Sequence, residues 1–457
     1  SDIAGDVIHP RIRLLFFIIV FLALWIVIAI FGLIIALIFA RFPSSVLAVW
    51  LEIPIAIVFG KWALSKGTGL VYKTTMSVTL LYLFVILGQY FPIIIPDLSG
   101  LPATGVWTII LLIYAFIASV LPVGLLLQPR DFLNAWQLYI AMALVLLGAL
   151  VSGVTGQLQF AAPAFHSPVD APSMWPFLFI TIACGAISGF HSLVCSGTSS
   201  KQIASEADAQ FIGYGSMLLE AALATVIIIA VAAGLGMAYP VGDVILSGQE
   251  AFMAHYGSWG QSSGLGSKLT AVVVGCANMM QTVGISLELG VTIIGVFIAS
   301  FAGTTLDSAA RVQRYVISEL GQSVNKPLLS NKWVATAIAV LSGAALAFSS
   351  GLNGAGALAL WPLFGAVNQL LGALALLVIS VYLARRLRYW ALVTVIPCLL
   401  IMGITLWASV ENHLFFIKNK SSVLMGINAL IFLLALFISY RAFVNMIKVF
   451  RTPLEHR

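Results

Sequence analysis

Charged residues are scarce in this sequence. They make up 8% of the 457 residues, whereas 61% are hydrophobic and the mean hydropathy is +1.08. A soluble domain carries about 25% charged residues, so this composition excludes a soluble globular protein. The apolar runs are continuous and do not alternate at every second residue, so they predict helices and not a closed barrel. We therefore expect an all-α, polytopic membrane protein.

Cysteine is also rare, and no group of residues has metal-ligand spacing. The four cysteines all fall inside or at the ends of apolar runs, at Cys184, Cys195, Cys276 and Cys398. Cysteines in such positions act as small apolar packing residues. We expect no disulfide framework, no metal site and no cofactor.

The long apolar runs divide the chain into about twelve predicted spans, since roughly 20 apolar residues cross a bilayer. The predicted spans are 13–40, 44–62, 75–95, 106–122, 135–153, 174–196, 213–238, 268–302, 333–350, 357–383, 389–410 and 423–446. We expect residues 1–457 to form a single integral membrane domain.

The distribution of lysine and arginine sets the expected orientation, because these residues concentrate in cytoplasmic loops. With the N-terminus inside, 18 of the 22 lysines and arginines fall on the cytoplasmic side. The four exceptions are Arg41, Lys268, Lys418 and Lys420. Both termini are therefore predicted to be cytoplasmic. The net charge of +6 is then a basic rim beside anionic lipid and indicates no nucleic-acid partner.

The segment "GFHSLVCSGTSSKQ" carries the densest polar cluster within a predicted span. Gly197 is expected to end or interrupt the helix there and to free backbone groups. Freed amides and hydroxyls at membrane depth are how the broken helices of transporters hold small anions or peptide termini. The predicted substrate-facing residues are His191, Ser192, Ser196, Gly197 and Thr198. The alternative for His191 is a hydrogen-bonded structural histidine.

Three carboxylates within predicted spans are candidates for proton coupling. Glu220 lies two turns inside an apolar helix and is the first candidate, because desolvation raises a carboxyl pKa towards physiological pH. Glu288 lies in the span 268–302. Glu52 precedes Pro54, which can kink its helix, and its alternative role is a carboxylate at a helix end reaching the interface.

Two further clusters place amides and hydroxyls inside spans. One cluster includes Asn278, Gln281, Thr304 and Thr305, and Gly303 is expected to break its helix. The other includes Asn368 and Gln369, and Pro362 and Gly365 are expected to interrupt its helix. The additional candidate substrate contacts are Asn278, Gln281, Thr304, Thr305, Asn368 and Gln369. Interhelical hydrogen bonding is the alternative for the amides. Asp307 and Arg311 have the i, i+4 spacing of a structural ion pair.

Four segments resemble the carbon starvation protein A (CstA) family: "GFHSLVCSGTSSKQI", "IGYGSMLLE", "FAGTTLDSAARVQRY" and "WPLFGAVNQLL". The likeness covers nearly the whole chain. It implies a bacterial or archaeal inner-membrane transporter with a LeuT-like inverted-repeat fold and discontinuous helices. Such proteins are linked to carbon starvation and to uptake of peptides or, in some members, of pyruvate with protons. Family members carry further hydrophobic segments before the position matching Ser1, so this chain is expected to lack the N-terminal helices.

The predicted function is secondary active uptake of a peptide or small carboxylate, with a proton and the lipid bilayer as the other partners. A membrane nutrient sensor or structural subunit is the alternative, but the outer loop 239–267 is too short for a signalling domain. An intramembrane enzyme is a third reading. His191 near Ser192 has no acidic partner evident in the sequence to orient it, so no enzymatic activity is expected.

Overall fold

The computed structural model of the protein describes residues 5–6, 10–63, 69–98, 100–166, 168, 171, 173–262 and 264–451. Helices dominate these residues. They are α1 (Pro10–Arg41), α2 (Val46–Ala63), α3 (Leu70–Tyr90), α4 (Ala103–Val120), α5 (Leu127–Val154), α6 (Met174–Ala186), α7 (Gly189–Gly197), α8 (Asp208–Ala232), α9 (Gly248–Tyr256), α10 (Trp259–Ser262), α11 (Leu265–Gln281), α12 (Leu287–Ser323), α13 (Pro327–Ser330), α14 (Lys332–Ala347), α15 (Trp361–Leu387), α16 (Leu392–Lys418) and α17 (Ser422–Arg451).

Eleven segments within the described residues are long and apolar enough to cross a membrane. The expectation of a multi-pass helical bundle is confirmed. The sequence predicts about twelve spans, and the difference comes from α14, which is apolar but only 16 residues long.

Helix α1 lies at the centre of the bundle because it is apolar on every face. Ile19, Leu24 and Ile28 are fully buried, and a helix that is hydrophobic all round is a buried helix. It packs most extensively against α12 and also against α4 and α14. Helices α6, α7, α16 and α17 gather around α15 instead.

Helix α12 is much longer than a bilayer crossing requires. Its 37 residues span about 55 Å at 1.5 Å per residue, against a hydrocarbon thickness of about 30 Å. Its apolar part packs on α1, and its C-terminal part carries Arg311, Arg314 and Glu319. The helix is therefore long enough for this charged end to extend beyond the membrane.

Two predictions about the spans are corrected by the structure. The predicted span 268–302 is two helices, α11 and α12, which are separated at residues 282–286, where Gly284 adopts a positive φ of 86°. The predicted break at Gly303–Thr305 is absent, because α12 runs through it, and the hydroxyls of Thr304 and Thr305 both donate to the Phe301 carbonyl.

The interruption predicted at Pro362 and Gly365 lies slightly earlier in the chain. A 3-10 turn at Ala355–Leu360 precedes α15, which begins at Trp361. Pro362 therefore occupies the first turn of the helix, where its missing amide hydrogen costs nothing.

A small substructure between α8 and α11 contains the only strands of the described residues. Strands β1 (Tyr239–Val241) and β2 (Val244–Leu246) pair antiparallel, with Pro240 opposite Ile245. Helix α9 follows and places His255 against β1. The Tyr239 hydroxyl lies 2.7 Å from His255 Nδ1, and the Ser267 hydroxyl lies 3.2 Å from Nε2.

Acid pH is expected to loosen this substructure. Burial lowers the pKa of His255 from its ordinary value of 6.5, so the folded arrangement favours the neutral ring. Stability is therefore complete above about pH 6.5 and falls as the pH drops below it. Hydrogen exchange at Gly248–Tyr256, corrected for intrinsic rates, should be faster at pH 5 than at pH 7. A His255→Phe variant should lose this difference, and equal protection at both pH values in the original protein would contradict the expectation.

Candidate functional site

The chain breaks its helical path between α6 and α7. Ile187 (φ −138°, ψ 76°) and Ser188 (φ −89°, ψ 133°) are not helical. The sequence predicts a break at Gly197, and α7 does end there, but the discontinuity inside the span lies nine residues earlier. The result is a nine-residue helix whose N-terminus is inside an apolar segment.

Asn368 of α15 forms hydrogen bonds with residues on both sides of this discontinuity. Its Oδ1 accepts a hydrogen bond of 2.8 Å from the Phe190 amide, and its Nδ2 donates to the Ser188 hydroxyl at 3.0 Å and to Cys184 Sγ at 3.1 Å. Ser188 also caps α7, accepting from the His191 amide at 3.5 Å. Two of the backbone donors freed by the break, the amides of Phe190 and His191, are therefore satisfied by side chains, and Asn368 fixes the geometry of α7.

The predicted serine donors of α7 are occupied within the helix. Ser192 donates to the Gly189 carbonyl and Ser196 to the Ser192 carbonyl. Thr198 is the residue immediately after the helix, and its amide bonds to the Val194 carbonyl. Hydroxyls bonded to their own helix retain acceptor lone pairs, so they are available to ligand donors more than to ligand acceptors.

His191 and Glu220 face each other between α7 and α8. Their Nε2 and Oε1 atoms are 3.9 Å apart, and the side chains are 54% and 44% exposed. Polar groups on the surface of an apolar segment are costly in lipid and usually mark an interior pathway. The two first candidates from the sequence are thus brought together beside the discontinuity.

The other amide candidates have different positions. Asn278 is buried and donates to the carbonyls of Gly234 and Ala238, so it ties α11 to the turn after α8. Gln281 is exposed at the end of α11. Gln369 is fully buried beside Asn368, and neither atom of its amide has a hydrogen-bond partner among the described residues.

Glu288 and Glu52 occupy contrasting environments. Glu288 is exposed in the first turn of α12, where a carboxylate favourably meets the helix dipole, so it lies at the end of a candidate span and not deep within it. Glu52 is fully buried in α2.

Glu52 belongs to a buried ionic cluster centred on Arg130. Arg130 Nε lies 3.0 Å from Glu52 Oε1, and its Nη1 lies 2.7 Å from Asp307 Oδ2. Tyr114 donates to the same Asp307 oxygen at 2.7 Å, and Ser300 donates to Glu52 Oε2 at 2.5 Å. The cluster joins α2, α4, α5 and α12.

This cluster corrects two predictions. Asp307 pairs with Arg130 and not with Arg311, whose guanidinium instead donates to the carbonyls of Ala118 and Leu121 at 2.8 and 2.6 Å. Arg130, assigned to a cytoplasmic loop by its position, is 1% exposed. The sequence signal that points to it is Glu52 inside a predicted span, because a buried charge requires a partner.

The family assignment follows from comparison of the whole sequence. The sequence profile described as "Carbon starvation protein CstA" matches residues 1–408. The chain belongs to the CstA family. The family resemblance noted in the sequence is thereby confirmed.

Relatives within the CstA family carry transporter names. Similar proteins include "Peptide transporter CstA" of Helicobacter pylori strain J99, 29% identical, with 85% of this chain and 62% of the relative covered. "Peptide transporter CstA" of Mycobacterium tuberculosis H37Rv is 31% identical, with 84% and 56% covered. "Pyruvate/proton symporter BtsT" of Escherichia coli K12 is 30% identical, with 85% and 62% covered.

The chain thus spans about 56–62% of the length of these CstA-family relatives. No solved structure matches it. The segments that carry the family resemblance coincide with the two polar sites. One contains α7 with His191, another ends at Glu220, a third contains Asn368 and the fourth contains Asp307.

Proposed function

We propose that this chain belongs to a secondary active transporter that takes up peptides or small carboxylates such as pyruvate, together with protons. The observation that carries the proposal is the approach of His191 to Glu220, at 3.9 Å, beside a discontinuous helix. Family membership supports the same function, since relatives are named for peptide transport and for pyruvate/proton symport.

The substrate is proposed to bind beside α7. His191 can donate to a carboxylate, and the acceptor lone pairs of Ser192 and Ser196 suit the amino group of a peptide. The unpartnered amide of Gln369 is a further donor and acceptor close in sequence to Asn368. Asn368 is proposed to hold the α6–α7 junction in shape and not to bind substrate itself, because its amide is already fully engaged.

Glu220 and Glu52 are the carboxylates proposed to take the coupled proton. Glu220 would exchange it with the substrate site through His191, and Glu52 lies inside the bundle. Glu288 is less suitable, because it is exposed in the first turn of α12 and is not buried in the bundle.

The fold is proposed to be a LeuT-like inverted repeat in an inner membrane, with both termini cytoplasmic. The α6–α7 discontinuity supports it, since such transporters place half-helix ends at the substrate site. The uneven distribution of lysine and arginine supports the orientation.

Reconstituting the 457-residue chain in lipid vesicles tests the function. Labelled pyruvate or dipeptide should accumulate when an inward proton gradient is imposed, and a protonophore should abolish the accumulation. Binding of either compound without accumulation would instead favour the sensor or structural-subunit alternative, and the absence of both binding and accumulation would contradict the proposed site.

Replacing Glu220 with glutamine tests the proton assignment. Uptake by Glu220→Gln is expected to lose its dependence on external pH, because glutamine keeps the shape and removes the titratable group. Initial rates measured between pH 5 and pH 8 check this. Glu288→Gln is the matched control and should keep the original profile. An unchanged pH profile in Glu220→Gln would assign the proton elsewhere.

A further inference from the structure

The buried Arg130 cluster has more negative than positive charge. Glu52 and Asp307 are both 0% exposed and share the single guanidinium of Arg130, which is 1% exposed. A charge removed from water without compensation is strongly unfavourable. Two ionised carboxylates around one cation therefore leave a surplus that the site must balance.

Among the described residues, no cation other than Arg130 forms an ion pair with either carboxylate. Tyr114 on α4 contributes a neutral hydroxyl. Arg311 on α12 donates to the Ala118 and Leu121 carbonyls at the end of α4, where the helix dipole already presents partial negative charge. Asp131 on α5 also interacts electrostatically with the cluster, and a carboxyl group contributes no positive charge.

One oxygen of the cluster identifies where a proton fits. Both oxygens of Glu52 accept hydrogen bonds, from Arg130 and Ser300, and Asp307 Oδ2 accepts from Arg130 and Tyr114. Asp307 Oδ1 is buried and has no hydrogen-bond partner among the described residues. A protonated oxygen at this position removes the surplus charge without disturbing the bonds already made.

We propose that Glu52 and Asp307 bind one exchangeable proton between them, carried on Asp307 Oδ1 in this arrangement. Arg130 and Tyr114 are positioning residues, because they fix the orientation of both carboxylates. This proton site adds detail to the proposed function and rests on it in one respect: the proton that the site binds is the one that accompanies the substrate.

The position of the cluster gives proton binding a mechanical consequence. Its members lie on α2, α4, α5 and α12, so all four helices are held together when the charges balance. Loss of the proton leaves Arg130 between two full negative charges in a dry environment. The unprotonated cluster then favours separation of the four helices and entry of water. A cluster that switches between these two states is the kind of two-state element that alternating access needs.

Infrared spectroscopy of the purified 457-residue chain tests the proposal without depending on transport. A neutral carboxyl gives a C=O stretch distinct from that of a carboxylate. The protein should show such a band at pH 7 that shifts in D₂O. The band should disappear or change frequency in Asp307→Asn and in Glu52→Gln, whereas the matched control Glu288→Gln, at an exposed carboxylate, should retain it.

The outcomes separate this proposal from the proposed function. Absence of a neutral carboxyl band at pH 7 in the original protein would overturn the proton site, whether or not the variants fold. A band that persists in both cluster variants would overturn it as well. Proton-driven uptake without the band leaves the transport function intact and this site wrong. The band without any uptake leaves the site intact and the transport function wrong.

Discussion

Replacing Arg130 with methionine is expected to lower the free energy of unfolding by about 3–5 kcal/mol, the usual cost of removing one partner from a buried ion pair. The variant would leave Glu52 and Asp307 facing each other without their shared cation. The loss should be smaller at low pH, where both carboxylates can bind protons. Unfolding in mild detergent or in bicelles, followed at two pH values, measures the loss of stability and its pH dependence.

Two further variants show whether charge is the cause. The triple variant Glu52→Gln, Arg130→Met and Asp307→Asn removes all the charges together and is expected to recover most of the loss, as neutral replacements of buried ion pairs often do. Arg13→Met is the matched control, because Arg13 pairs with Glu319 at 2.9 Å but the two side chains are 42% and 37% exposed. It should cost at most about 1 kcal/mol. Equal losses for Arg130→Met and Arg13→Met would contradict the assignment.

The sequence was sufficient to predict the bundle because its signal is compositional. A helix such as α1, which is apolar on every face, can only be a buried span, and lengths near 20 residues follow from the bilayer. The break between α11 and α12 was missed for the same reason. Residues 268–302 are apolar enough to read as one span, and only the conformation at Gly284 shows the turn.

The candidate site could be predicted only where the polar residues are close in sequence. His191 and Glu220 lie in adjacent spans, and their approach follows from neighbouring helices packing together. Arg130 is 78 residues from Glu52 and 177 from Asp307. No local pattern encodes such pairing, and the i, i+4 rule favoured Arg311 as the partner of Asp307 instead. Hydroxyls at Thr304 and Thr305 suggested a break, but threonine can equally bond the preceding turn of an intact helix.

Gly189 is the other position where a substitution should have a large effect, because the added Cβ atom has no room. It begins α7 directly against α15, and a Cβ there would overlap the Asn368 carbonyl oxygen, the Leu371 side chain and the Gly372 amide. Two of these are backbone atoms, which cannot move aside as a flexible side chain can. Gly189→Ala must therefore push α7 away from α15, and we expect a loss of about 1–3 kcal/mol, typical of overpacking.

Gly185→Ala is the matched control for this change. Gly185 lies near the end of α6, four residues away, and a Cβ there meets no atom within 4 Å. The substitution should be neutral or stabilising by up to about 1 kcal/mol, since alanine favours helix more than glycine does. Because Asn368 bonds to Phe190 across the same contact, Gly189→Ala should also reduce substrate binding beside α7 more than Gly185→Ala does. Thermal unfolding of both variants tests the expected difference in stability. Pyruvate or dipeptide binding to both variants tests the expected difference in substrate binding. Indistinguishable variants would mean that the close contact between α7 and α15 shapes neither stability nor the site.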